Sequence, residues 1–383
     1  MAASVSVSAT APGKIILFGE HAVVYGIPAI ACCLSDLRTR VSVVITQGDE
    51  LEEGEEPRLT VELADIVVGG ARLSIPISIL QTFERQYPSS WSVSTEGNPI
   101  PIAAVDEVLK SNIEKLVNEK VPESSNNQTK EAFICLMYLA AKILCALDQP
   151  TTLTKESISI VAHSQGLPIG AGLGSSAAFN VAAASALLCT RFKHSQCFPN
   201  TSSENSSMPD FCAPSSLSFL TTVNNWAFIG EKILHGTPSG LDNTISTFGG
   251  TLSFQKTSTG PSFKRLDECP LLRVLLTNTK VPRVTRELVA SVAKLKAENP
   301  EMVDSINAAI QELTNKFEKL ISETSADTVA FTRRSLDALE GQIAPLFEQN
   351  QALLRKLGVS HPALEAVCDL SKAVGLSSKL TGA

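Results

Sequence analysis

A glycine-rich run, Gly170-Ala171-Gly172-Leu173-Gly174, leads directly into Ser175 and Ser176. Glycines at alternate positions remove the Cβ atoms that keep a ligand off the main chain, so successive N–H groups can converge on one anion. Ser175 and Ser176 stand where N-cap and first-turn residues belong, with the positive end of a helix behind them. A polyphosphate fits such a place, and a tight turn capped by serine is the plain alternative. Lys14, Glu231 and Asp242 complete the set that phosphoryl transfer needs: a phosphate cradle, a hydroxyl and a carboxylate for Mg2+, a base for an acceptor alcohol, and a cation. In that scheme Gly170 to Gly174 cradle a triphosphate, and Ser176 with Glu231 hold Mg2+ through hard oxygens. Asp242 accepts the alcohol proton, and Lys14 keeps Asp242 ionised while offsetting phosphate charge. Singly, each carboxylate is also an ordinary structural residue, and Ser239 and Asp242 are common in turns and caps.

Two better-known phosphate loops are excluded. A dinucleotide fingerprint starting at Gly170 would require glycine at position 175, which is Ser175, and no GxxxxGK[ST] occurs in the chain.

These residues need elements to position them. Ser157 to Ala162 alternates polar and apolar residues as a strand does, and Ala177 to Thr190 is rich in Ala, Val and Leu, as in a buried helix. The central stretch therefore reads strand, glycine loop, helix. Further strands are expected at Ser4 to Ser8, Val41 to Thr46, Thr247 to Phe254, Leu271 to Thr277 and Leu376 to Ala383. Lys14 stands beside an apolar strand that ends in Gly19-Glu20-His21, followed by a turn at Gly26; a hairpin with solvated polar ends is the bland reading. Helices are expected at Ile102 to Asn118, Glu131 to Leu147, and from about Leu220 to His235, where Gly236 and Pro238 stop the one carrying Glu231. The region from Glu287 to Leu357 is helical with breaks at Pro300 and near Ser322 to Asp327, and Pro362 to Val374 adds another helix. Asn278 to Arg286 supplies local positive charge and hydroxyls, with a basic helix entrance as alternative. Gln47 to Arg58 and His194 to Ser218 read as solvated surface loops.

The whole chain sets bounds on partners. With 383 residues, 44% of them hydrophobic, and a mean hydropathy of +0.13, it has room for two domains and a large core. A balance of 32 basic against 39 acidic residues argues against whole-surface attraction to nucleic acid or an anionic membrane. The N-terminus lacks the charge and apolar core of a leader, and no run reaches membrane-spanning length, so a cytoplasmic location is expected. Nine cysteines without CxxC or Cys/His spacing read as reduced core thiols. Asn127, Asn200 and Asn205 head chance glycosylation triplets. Ser378-Lys379-Leu380 imitates a peroxisomal address but is internal.

Three segments, PGKIILFGEHAVVYG (12 to 26), LPIGAGLGSSAA (167 to 178) and GEKILHGTPSGLDN (230 to 243), resemble the signature segments of the GHMP kinases over almost the whole chain. The first differs from galactokinase, in which an acidic residue would follow soon after the His. The resemblance implies an α+β, two-domain fold: an N-terminal domain (1–245) like ribosomal protein S5 domain 2, and an incomplete ferredoxin-like C-terminal domain (246–383). It implies ATP and Mg2+, bound with a small-molecule alcohol in the cleft between the domains, and a homodimer. By resemblance, Lys14 and Asp242 are catalytic, Ser176 and Glu231 bind metal, and Lys14, Ser164 and Gly170 to Ser176 bind the nucleotide. Glu20, His21, Arg283 and Thr285 fall where the alcohol substrate or its neighbours are contacted. The third signature, a glycine loop beginning KLTGAGGGG, is present only as Lys379 to Ala383. A truncated form is therefore expected, with kinase activity reduced or lost.

Ala162-His163-Ser164-Gln165-Gly166 offers an enzyme of another class, since it resembles a GxSxG nucleophile elbow. An elbow needs a helix directly after its serine, whereas Leu167-Pro168 and the glycine loop follow here. A nucleotide-binding protein without catalysis is the non-enzyme alternative.

Overall fold

The computed structural model describes residues 4–47, 56–65, 70–86, 104–144, 156–197, 216–258, 260–267, 269–270, 272–281, 285–325 and 333–382. Residues 48–55 and 198–215, which make up most of the two expected surface loops, lie outside them, as does Arg283. The chain divides into two compact units. One holds Met1–Gly13, Ser35–Leu167 and Ser175–Phe248; the other holds Lys14–Leu34, Pro168–Gly174 and Gly249–Ala383.

The first unit is a sheet covered by helices. Its strands are the start of β1 (Ser4–Phe18), the C-terminal part of β2 (Ala29–Gln47), β3 (Arg58–Leu63), β4 (Ala71–Pro76) and β5 (Glu156–Gln165). They run in the order β4-β3-β5-β2, with β3 and β5 parallel and the other two pairings antiparallel. Period-two alternation decides the faces. Ile158, Ile160 and Ala162 of β5 are buried, as are Val41, Val43 and Ile45 of β2, while Ser157 and Ser159 point the other way. Helices α1 (Ile77–Gln86) and α3 (Asn127–Leu144) pack on the strands, and α2 (Glu107–Lys120), α4 (Ser175–Cys197), α5 (Leu217–His235) and α6 (Leu241–Phe248) pack against helices of this layer. α3 is buried almost all round. Its partner α4 buries Ala177, Ala178, Ala182, Ala183, Ala184 and Ala186, small side chains that let α3 and α5 approach closely. α2 starts later than the periodicity suggests because Asp106 caps it, accepting from the Leu109 N–H at 3.0 Å.

The second unit pairs the first residues of β2 with β6 (Thr251–Thr257), and β6 with β7 (Gly260–Arg265). Its helices are α7 (Thr285–Glu298), α8 (Pro300–Ser325), α9 (Arg333–Lys356) and α10 (Pro362–Ala373). Their core gathers Val292, Val303, Ile306, Ile310, Leu354 and Leu357 around Ala22 and Leu380. Phe18 meets the rings of Phe317 and Phe347 at 5.1 and 5.5 Å.

Three expected strands differ. Thr247 and Phe248 finish α6, because Gly249 and Gly250, both at φ +68°, form the turn before β6 begins at Thr251. Residues 272–280 form no regular element; Val274 and Leu275 are exposed, and among the described residues no strand pairs with them. Leu376 to Gly382 is irregular too, its backbone served by side chains instead of a ladder: the Leu380 N–H donates to Gln351 Oε1 at 2.8 Å.

Candidate functional site

The glycine loop takes the shape its sequence implies. Gly170, Gly172 and Gly174 have φ of +72°, +75° and +69°, while Ala171 and Leu173 between them stay at negative φ. Alternating handedness of this kind turns consecutive N–H groups toward one concavity, an anion nest. No atom lies within 4 Å of where a Gly170 Cβ would project, whereas a Gly174 Cβ would stand 2.8 Å from Lys14 Cγ. The Lys14 stem therefore lies against the bare Gly174 backbone. The Lys14 N–H donates to Leu173 O at 2.8 Å, and Lys14 is only 5% exposed. From the other side Thr381 approaches: its carbonyl oxygen is 3.9 Å from the Gly172 Cβ position, and its hydroxyl both accepts from Ile16 N–H and donates to Ile16 O.

The second cluster in this unit lies at the end of β1. Gly19 is held at φ +89° with its Cα facing the backbone of Pro28 and Ala29; a Cβ would come within 2.5 Å of both. His21 adopts φ +59°, a left-handed conformation that costs a non-glycine residue about 1–3 kcal/mol. It opens the short 3₁₀ turn Ala22–Tyr25. Glu20 is buried; its carboxylate pairs with Lys379 and accepts from Asn350 Nδ2 at 3.0 Å. Glu20 is thus engaged as a buried counter-ion, and His21 is the outlier in backbone geometry. Thr285 opens α7.

In the first unit, α4 and α5 face each other with two pairs of residues spaced i,i+4, the spacing that places side chains on one helical face. Ser176 and Asn180 lie on α4, Glu231 and His235 on α5. Glu231 is 4% exposed and both its oxygens are held: Asn180 Nδ2 donates to Oε1 at 2.8 Å and Ser176 Oγ to Oε2 at 3.3 Å. Asn180 is itself fixed, its Oδ1 accepting from Cys135 Sγ at 2.9 Å. Burial, and then the Glu231 charge, push the Cys135 thiol well up, so it remains a protonated donor. A Cβ on Gly230 would lie 2.3 Å from Asn180 Oδ1. His235 Nε2 completes the group, 3.1 Å from Ser176 Oγ and 3.9 Å from Glu231 Oε2. An alcohol oxygen and a pre-oriented carboxylate side by side are hard donors suited to a divalent cation.

Asp242 sits in the first turn of α6, half-buried. That helix is pinned around it: Ser239 Oγ accepts from the Leu241 N–H at 3.2 Å, Asn243 Nδ2 donates to Asn224 Oδ1 at 2.7 Å, and Ser246 Oγ donates to Pro12 O at 2.7 Å. Gly240, at φ +85°, makes the turn into the helix.

Ser164 serves β5 and its exit. Its N–H donates to Asp65 Oδ1 at 2.6 Å and its hydroxyl to Leu167 O at 2.7 Å. Asp65 also holds His163 Nδ1 at 2.9 Å, but His163 and Ser164 are consecutive strand residues and point to opposite faces. The next helix starts only at Ser175. The nucleophile-elbow alternative therefore has no geometry behind it.

Sequence reasoning missed Asn180 and His235. The signal was available: Asn180 is a polar residue in an apolar helix four positions after Ser176, and His235 lies four after Glu231. The reading of the cysteines as core thiols also needs correction. Of those described, Cys135 is buried, while Cys32, Cys33, Cys189, Cys269 and Cys368 are only partly so.

No family model matches the chain. Among curated proteins it is 35% identical to mevalonate kinase of Mus musculus over 374 residues, 98% of this chain and 82% of that protein. It is 35% identical to mevalonate kinase of Arabidopsis thaliana over 379 residues, 98% of this chain and 88% of that protein. Among solved structures it resembles L. major mevalonate kinase in complex with R-mevalonate, with a TM-score of 0.55 and 21% identity, covering 99% of this chain and 84% of that one.

Proposed function

This chain belongs to the mevalonate kinases, within the GHMP kinases, and from that membership we infer that it transfers the γ-phosphate of ATP to the primary 5-hydroxyl of (R)-mevalonate. The product feeds isoprenoid and sterol synthesis. The observation that carries the reading at the level of chemistry is the alternating-handed glycine loop running into Ser175 and Ser176. Main-chain amides there bind phosphate without needing a mobile side chain, and the N-terminus of α4 adds its partial positive charge. Lys14, stacked against Gly174, supplies the cation for that loop.

Ser176 and Glu231 are the residues that would hold Mg2+. When bound, the ion neutralises charge on the transferring phosphate. Asn180 and Cys135 keep the Glu231 carboxylate in one orientation. Asp242 accepts the proton of the attacking hydroxyl, a general-base role. Glu20, His21, Arg283 and Thr285 contact mevalonate or its neighbours, Glu20 with its carboxylate also paired to Lys379. Ser164 lies near an adenine-nucleotide contact in this reading. The resemblance also supports a homodimer, which light scattering on the purified chain tests.

The deciding experiment is ADP release by the purified chain with mevalonate, phosphomevalonate, homoserine or galactose as acceptor, with the product identified by phosphorus NMR. The reading expects mevalonate-dependent ADP and a phosphomonoester on the primary alcohol. Preference for another acceptor, or ATP binding without turnover on any, overturns it.

A further inference from the structure

A pair of nucleophilic side chains in the second unit plays no part in the chemistry above. Cys32 in β2 faces Thr251 of β6 as its cross-strand partner, and Cys32 Sγ lies 3.1 Å from the Thr251 hydroxyl. After β7 the chain comes back to the same place. The Leu266 N–H donates to Thr251 O at 2.9 Å, and the Cys269 N–H to Leu266 O at 3.0 Å. This turn brings Cys269 back beside Thr251 and the strand pair that carries Cys32. Both thiols are free and neither residue is fully buried.

We propose that Cys32 and Cys269 are a peroxide-sensitive thiol pair that closes reversibly to a disulfide across β2 and the turn after β7. The two thiols have different tasks. Hydrogen bonding from Cys32, joined by Thr251 and outweighing burial, lowers the Cys269 thiol to about 7, while the same contact and deeper burial push Cys32 well up. Cys269, the thiol held lower, attacks first as its thiolate. Its sulfur bonds to one oxygen of hydrogen peroxide as the O–O bond breaks, giving a sulfenic acid and hydroxide. Cys32 then loses its proton and displaces the sulfenic oxygen as water, forming the S–S bond. Two thiols give up two electrons, and peroxide takes them. A dithiol reductant reverses the step. Cys33 is the internal control: its Sγ accepts from the Gly250 N–H at 3.2 Å, and its side chain leaves the strand on the opposite face from Cys32.

The test uses the full chain and does not depend on which substrate it phosphorylates. After brief exposure to hydrogen peroxide, a digest kept free of reductant is mapped by mass spectrometry. The expected product is a Cys32–Cys269 linked peptide pair, absent after dithiothreitol and unchanged in Cys33→Ser. In Cys32→Ser the oxidation stops at a Cys269 sulfenic acid that dimedone traps, and iodoacetamide labels Cys269 with a midpoint near pH 7 in the untreated protein. Oxidation of wild-type Cys269 to sulfinic acid without the linked pair, or linkage of either residue to Cys33, overturns the proposal. The wild-type map decides even if a variant fails to fold.

Discussion

The two halves of the candidate machinery are built from different materials. Around Glu231 everything is side chain: Ser176, Asn180, His235 and Cys135 converge from three helices and hold one carboxylate in place. Around Gly172 nearly everything is main chain, shaped by left-handed glycines and by the stems of neighbours that fill the space a Cβ would take. A carboxylate aimed at a cation needs its orientation fixed, since its charge lies at the end of a rotatable stem. Amides aimed at phosphate are already rigid and need only be uncovered. The contrast predicts that the helical cluster fails through loss of partners and the loop through gain of atoms.

The largest effect is expected where the reaction itself is touched. Asp242→Asn keeps the shape of the α6 turn and removes the base, so kcat should fall by roughly 10²–10⁴-fold while ATP affinity, read by calorimetry, stays close to wild type. An equal loss of ATP binding would mean that Asp242 organises the site and does not act in it. Next comes Asn180→Leu, which fills the same space without a donor for Glu231. Weakening of magnesium dependence by about 10–100-fold is expected from loss of such an outer partner, with the folded state intact by circular dichroism. Unchanged magnesium titration would break the claim that Glu231 must be held.

The loop is tested by two alanines whose difference matters more than either alone. Gly174→Ala forces both a strained φ and displacement of Lys14, and should raise the KM for ATP by at least ten-fold, given contact at 2.8 Å. Gly170→Ala meets no atom within 4 Å and should cost only the left-handed penalty, about 1–2 kcal/mol of stability, with ATP binding largely preserved. Equal effects at the two positions would remove the steric argument for Lys14. The smallest change is expected for His235→Gln, since that side chain is half exposed: a few-fold change in KM for magnesium-ATP.

Much of this was legible in the sequence, and the reasons differ by region. The strand, loop and helix from Glu156 to Cys197 could be read because each part announces itself locally: period-two alternation, alternate glycines, then alanines. Glu231 and Asp242 could be found because carboxylates flank a glycine-rich turn. Asn180 was passed over because an amide in an apolar helix reads as a minor blemish until its partner across the helix interface is known. Glu20 was read as lying where the substrate or its neighbours are contacted, and nothing local reveals that its carboxylate also meets Lys379 from far along the chain. Residues 272–280 and 376–382 misled for a related reason, since β-propensity without a neighbouring strand to pair with does not make a strand.

One small fit has a consequence for how this protein can change over time. Gly230 lacks a side chain because the Asn180 carboxamide occupies that space, and the same carboxamide steadies Glu231. Positions 180 and 230 are therefore expected to change together. A methyl group at 230 is tolerated only in a lineage that has already shortened residue 180, and such a lineage must find another way to steer its acidic ligand. Natural relatives sorted by the residue at 230 should fall into groups at 180 as well.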